Sequence, residues 1–93
     1  MIVFTSTYIA SPDQLQVHLE NHLVWVEEGF ADGTFLAAGL RTGSVGAVIL
    51  AIGVDQAEAE AMLARDPFVV HKIADYEITE FDASRTGNGL SLA

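Results

Sequence analysis

The residue order predicts an α+β fold: a four-stranded antiparallel sheet with two helices on one face, in the order strand, helix, strand, strand, helix, strand. Three observations carry it. An apolar, β-branched opening run precedes a long segment of helical spacing. Two further strand-like runs flank a tight turn. A second, shorter helical segment then stops at a proline just before a last alternating run.

Ile2 to Ile9 reads as the first strand. Ser11-Pro12-Asp13 offers a side-chain acceptor followed by proline at the first helical position, where its missing N–H costs nothing. The helix that follows runs to about Ala31. Its apolar residues Leu15, Leu19, Leu23, Val26 and Phe30 recur at spacings of four and three, which predicts a stripe facing the sheet, and Asp32-Gly33 stops it. Thr34 to Leu40 and Val45 to Val54 form a predicted hairpin around Arg41-Thr42-Gly43-Ser44. Glycine weakens a strand unless a bulge, a bend or a close approach uses the missing side chain, and Gly39, Gly46 and Gly53 leave all three options open.

Asp55-Gln56-Ala57-Glu58 matches a capping box, with Ala59, Met62 and Leu63 as a short buried face. Pro67 ends this helix at Arg65 or Asp66, because its ring lacks an N–H and disfavours helical geometry in the preceding residue. Ile73 to Phe81 alternates in a rough period of two and gives the last strand. Residues 1–82 thus form one domain, and residues 83–93 a polar tail with a small apolar end.

This order is the ferredoxin-like sandwich, βαββαβ, and it leaves one sheet face bare. Mean hydropathy is +0.35, high for a chain too short to bury much of its own apolar area. Many valines, isoleucines and phenylalanines are therefore expected on the bare face, and a face-to-face homodimer or higher homo-oligomer is expected to cover it.

The charge narrows the partners. Thirteen acidic residues against four Lys and Arg give a net charge of −9, a field that repels phosphate backbones and anionic membranes, so neither nucleic acid nor membrane is an expected partner. There is no cysteine, hence no thiolate nucleophile and no cysteine-held metal. The N-terminus lacks the basic region of a secretory signal, and the longest uncharged stretch, Thr42 to Val54, is shorter than the ~20 apolar residues of a membrane span; cytoplasm is the expected location.

His18, His22, His71 and Asp66 are the groups that could move protons. His22 falls roughly 60° from the centre of the leucine stripe, at the border between core and cavity. His18 and His22, four apart, share a flank, but no third ligand is predictable and neither metal nor cofactor is expected. In Asp66-Pro67-Phe68 the proline stops the helix and the phenylalanine buries, holding the carboxylate at the junction. A carboxylate so placed can bind one imidazole nitrogen, set its tautomer and leave the other nitrogen to move a proton, and His22 is the best partner. Trp25, three residues after His22, packs or walls a small pocket. No nucleophile elbow, P-loop, dinucleotide fingerprint or acidic calcium loop is present, and Gly43 to Gly46 is a turn.

Taken together, His22-Leu23, Gly33, Phe35-Leu36-Ala37-Ala38-Gly39, the apolar run 45–52 and Asp66-Pro67-Phe68 resemble the YCII-related (YciI-like) family over nearly the whole chain. The resemblance implies a dimeric α+β barrel, a small-molecule pocket, and His22 with Asp66 as the active-site pair. One relative eliminates chloride from a chlorinated hydroxyquinol, so the resemblance also implies elimination chemistry. Leu19 stands where the family often carries arginine, with His18 partly filling the gap, and Leu40 stands where it carries proline.

The resulting expectation is an enzyme for elimination or isomerisation of a small cyclic substrate. His22 is general base or acid, Asp66 orients it, and His18, Trp25, Gly39 and Phe68 shape the substrate pocket. The alternative is a non-catalytic dimeric metabolite-binding module that keeps the pair for structure; replacing His22 separates the two.

Overall fold

A computed structural model describes residues 1–90; the apolar end of the tail, residues 91–93, lies outside the described residues. The elements are β1 (Ile2–Tyr8), α1 (Pro12–Ala31), β2 (Phe35–Leu40), β3 (Ala47–Ala51), α2 (Gln56–Leu63), α3 (Pro67–Val70) and β4 (Ala74–Glu80). The strands form one sheet in the order β2-β3-β1-β4, every neighbouring pair antiparallel. This is the predicted ferredoxin-like α+β arrangement.

Local chemistry sets the helix ends. The Ser11 hydroxyl accepts from the Gln14 N–H at 3.3 Å, and α1 stops before Gly33, whose φ of +82° favours glycine. At α2 the capping box is complete: the Glu58 N–H donates to Asp55 Oδ1 at 2.8 Å, and the Asp55 N–H donates to Glu58 Oε1 at 3.2 Å.

The segment after α2 departs from expectation. The helix ends at Leu63, before Arg65, and Pro67 opens a further helix of four residues, α3, capped by Asp66. Proline is excluded from a helix interior but favoured at the first helical position, so Asp-Pro reads as cap and start as readily as it reads as stop. Three helices stand where two were predicted.

The face that α1 buries also differs from the leucine stripe. His22, Trp25 and Gly29 are its buried residues, whereas Leu23 is 51% exposed and Phe30 38%. The helix is rotated so that its smallest residue meets the sheet: a Cβ on Gly29 would overlap the Phe35 ring. Apolar spacing missed this because the buried line runs through a histidine and a glycine. His22 therefore lies on the buried line itself, 7% exposed.

The core is assembled by sheet register. Ile2 pairs with Ala51, and Phe4 with Ile49 and Ile78, placing these side chains on the helix side with Phe35, Trp25, Ala59 and Leu63. Phe4 packs edge-on against Phe35 at 6.1 Å and Tyr76 at 6.4 Å. The opposite face carries Val3, Val48 and Leu50 beside Thr5, Thr7, Asp75, Glu77 and Thr79. The expected load of isoleucines and phenylalanines is thus corrected: the period of two sends Ile2, Phe4, Ile49 and Ile78 inward.

Of the three strand-region glycines, Gly46 is a close approach. A Cβ there would run into the Ser6 carbonyl. That contact closes the hairpin end onto β1, where Arg41 Nη1 donates to the Ser6 carbonyl at 3.1 Å and to Thr7 Oγ1 at 2.9 Å. Among the described residues no helix is long and apolar enough to cross a membrane.

Candidate active site

Asp66 is fully buried, and three donors converge on its carboxylate. His22 Nδ1 lies 2.8 Å from Oδ1, the Phe68 N–H donates to the same oxygen at 3.0 Å, and the Tyr76 hydroxyl donates to Oδ2 at 2.9 Å. The cap of α3 thus does two jobs: it satisfies a helix N–H, and it fixes the oxygen that meets the imidazole. With Asp66 as acceptor, Nδ1 is the donor, and Nε2 is the ring nitrogen left outside the pair.

Tyr76 holds the other oxygen. Burial, then the Asp66 charge and hydrogen bond, push its phenol far above the ordinary tyrosine range, so it stays a neutral O–H donor. The antiparallel register puts it opposite Ser6 on the helix side of β4.

The imidazole plane is set by stacking. Phe68 lies parallel to His22 with centroids 3.9 Å apart and 3° between planes. One turn earlier His18 stacks on His71 at 3.9 Å and 13°, so two parallel stacks join α1 to α3. Trp25, 6.0 Å from His22, is itself anchored by its indole N–H to the Met62 carbonyl at 3.1 Å, tying α1 to α2.

Among the described residues His22 makes its one side-chain hydrogen bond through Nδ1, and no buried polar side-chain atom lacks a partner. Nε2 is therefore the nitrogen that reaches open space. His22 borders a cavity of about 340 Å³ between α1 and the β2–β3 hairpin. Leu19, Leu23, Val26 and Phe30 wall it from the helix, and Ala38, Gly39 and Leu40 from β2. The exposed Leu23 and Phe30 thus face this opening.

Of the residues singled out from sequence, His22 and Gly39 line the cavity, Asp66 stands behind His22, and Phe68 lies against the His22 ring. His18 and Trp25 do not border it; Trp25 borders a separate depression with Arg65 and Pro67. Both positions that depart from the family pattern, Leu19 and Leu40, are on the cavity wall. Sequence reasoning missed Tyr76 and Tyr8. Alternation in the last strand set Tyr76 on one face with Ala74 and Ile78, but only register brings it to Asp66.

Fold and site together define a ferredoxin-like domain with a buried His–Asp pair opening on a small apolar cavity. The chain belongs to the family of the YCII-related domain, whose model matches residues 2–82. It is similar in structure to 5-chloro-2-hydroxyhydroquinone dehydrochlorinase from Burkholderia phenoliruptrix AC1100, solved in complex with 2,5-dihydroxybenzoquinone. The TM-score is 0.65 and the identity 17%, over 88% of this chain and 94% of that one. At this identity the likeness is one of fold. No curated protein matches the chain.

Proposed function

We propose that this member of the family is a small-molecule enzyme in which His22 is the general base and Asp66 its orienting partner, acting on a small cyclic substrate by elimination or isomerisation. One observation carries the reading: the ring whose Nδ1 is bound by a fully buried carboxylate also borders an apolar cavity of single-molecule size. In an elimination, Nε2 takes a proton from the substrate, the released electron pair forms a double bond, and the leaving group departs with its own bonding pair. No oxidant or reductant is needed. Asp66 stabilises the imidazolium that forms, and Phe68 keeps its plane. A positioned base of this kind supplies roughly 10²–10⁴ in rate, which suits an activated proton better than an unassisted hydrolysis.

The fold shared with a dehydrochlorinase supports elimination as the first reaction to try. The working unit is a homodimer joined through the outer sheet face, where Val3, Val48 and Leu50 form the apolar part. The test is a panel of chlorinated hydroquinones incubated with the protein in D₂O, reading chloride release and deuterium incorporation. Wild type is expected to exceed His22→Gln by at least about a hundredfold. Equal traces from the two proteins would end the reading.

A further inference from the structure

Among the described residues three polar side chains are buried, His22, Asp66 and Ser6, and the acid–base reading uses the first two. Ser6 is 1% exposed and does not border the cavity, so its hydroxyl has no route to a ligand as a nucleophile. It stands instead where a ladder bond would. The β1–β3 register runs to the Thr5–Val48 pair, and the next amide of β3, the Ala47 N–H, donates to the Ser6 hydroxyl at 2.9 Å.

A serine hydroxyl has one proton to give. The Ala47 carbonyl lies 3.3 Å away, long for a bond between two oxygens. Tyr76 offers a second acceptor. It is the residue directly opposite Ser6 on β4, and its own O–H is spent on Asp66 Oδ2, which leaves the phenol oxygen free to accept. Burial and the Asp66 charge push this phenol up, and the Ser6 hydroxyl works against them, as a donor to the phenol oxygen does.

We propose that Ser6 is a positioning residue for the His22–Asp66 pair: its hydroxyl takes the Ala47 N–H, donates to the Tyr76 oxygen, and through the Tyr76 O–H draws charge toward Asp66 Oδ2. Donors in a row strengthen one another. Donors on one carboxylate compete, so a stronger pull at Oδ2 leaves less charge at Oδ1 for His22 Nδ1–H. Ser6 thus sets how tightly Asp66 holds the imidazole, and because Ala47 lines the cavity, it ties that hold to the position of the β3 wall. The inference rests on the acid–base reading for its consequence in turnover, whereas the hydrogen bonds themselves are independent of it.

The experiment follows the Nδ1–H proton of His22 by NMR in the full chain carrying labelled histidine. Tyr76→Phe removes the pull at Oδ2 and is expected to move that signal downfield, the direction of a stronger hydrogen bond to Oδ1. Ser6→Ala is expected to move it the same way by a smaller amount. Ser6→Cys, with a weak donor in place of a strong one, is expected to move it by less still, and it carries the test if the alanine variant does not fold. In the Tyr76→Phe background either Ser6 substitution is expected to add nothing, because the route runs through the phenol. A serine that only fastened β3 to β1 would change the unfolding midpoint without this ordering. An unmoved or upfield signal in the Ser6 variants, or a shift that persists in full in the Tyr76→Phe background, overturns the proposal. If the ordering holds in a protein that neither releases chloride nor incorporates deuterium, the relay stands and the acid–base reading falls; turnover well above that of His22→Gln, with an unmoved signal in the Ser6 variants, does the reverse.

Discussion

His22 Nδ1 lies 2.8 Å from Asp66 Oδ1, although 44 positions separate the two residues in the chain. The contact is made by two rigid supports, the middle of the long helix α1 and the cap of the four-residue α3, and it is shielded by a ring stacked 3.9 Å away. Because Asp66 is fully buried and accepts three hydrogen bonds, the pair is held without help from a ligand.

Removing that acceptor is costly. Asp66→Ala strands three donors, each worth roughly 1–3 kcal/mol when left unsatisfied, so a loss of at least about 3 kcal/mol is expected from urea denaturation. Asp66→Asn keeps an acceptor oxygen and should lose less stability. It removes the carboxylate that favours a proton on Nδ1, so its His22 nitrogen signals should move toward the other tautomer. Unchanged tautomer signals in Asp66→Asn would contradict the orienting role.

Tyr76 predicts the alkaline side of the stability profile. Its folded-state pKa is raised above the ordinary value of 10.0, so its contribution is fully present below about pH 10 and is lost as pH rises, because the unfolded chain releases the phenol proton first. Tyr8 is shifted in the same direction by burial. Tyr76→Phe should therefore cost about 1–2 kcal/mol near neutrality and flatten, without abolishing, the fall in unfolding midpoint between pH 9 and 11. An identical alkaline slope in the variant would refute the assignment.

Two glycines of the hairpin region should respond oppositely to alanine. At Gly46 a Cβ meets the Ser6 carbonyl, which is backbone and cannot swing away, so Gly46→Ala should cost roughly 2 kcal/mol or more. At Gly39 a Cβ meets nothing within 4 Å, so Gly39→Ala should lie within about 1 kcal/mol of wild type. Thermal denaturation of the pair decides; equal losses would mean that the hairpin does not close on β1 as described.

Val48 tests the proposed dimer. It lies on the outer sheet face between Thr5 and Gly39 and takes no part in the core. Val48→Asp should convert a species of twice the 10.0 kDa chain mass into a monomer in sedimentation, with little change in helical circular dichroism. A wild type that sediments as a monomer at all concentrations would remove the dimer from the proposal.

Apart from α3, the order of the elements and most of their ends were legible from residues alone. Caps, prolines and period-two strands act within a few positions, as Ser11, the Asp55–Glu58 box and the Ile2–Phe4–Ser6 alternation show. The pairing of His22 with Asp66 was legible as a candidate, because a helix histidine and a carboxylate pinned before proline are unusual enough to be matched. Tyr76 was not, since nothing local distinguishes it from a core aromatic.

What the sequence by itself determined is the ferredoxin-like order and the pool of groups able to move a proton. Only tertiary packing decided how they meet. Gly29 seating the Phe35 ring turned α1 about its axis, which buried His22 and moved Leu23 and Phe30 from the predicted core face to the cavity wall. The physical reason is steric: helix rotation answers to the best fit of side-chain volumes against the sheet, a long-range sum that apolar spacing along one segment does not contain.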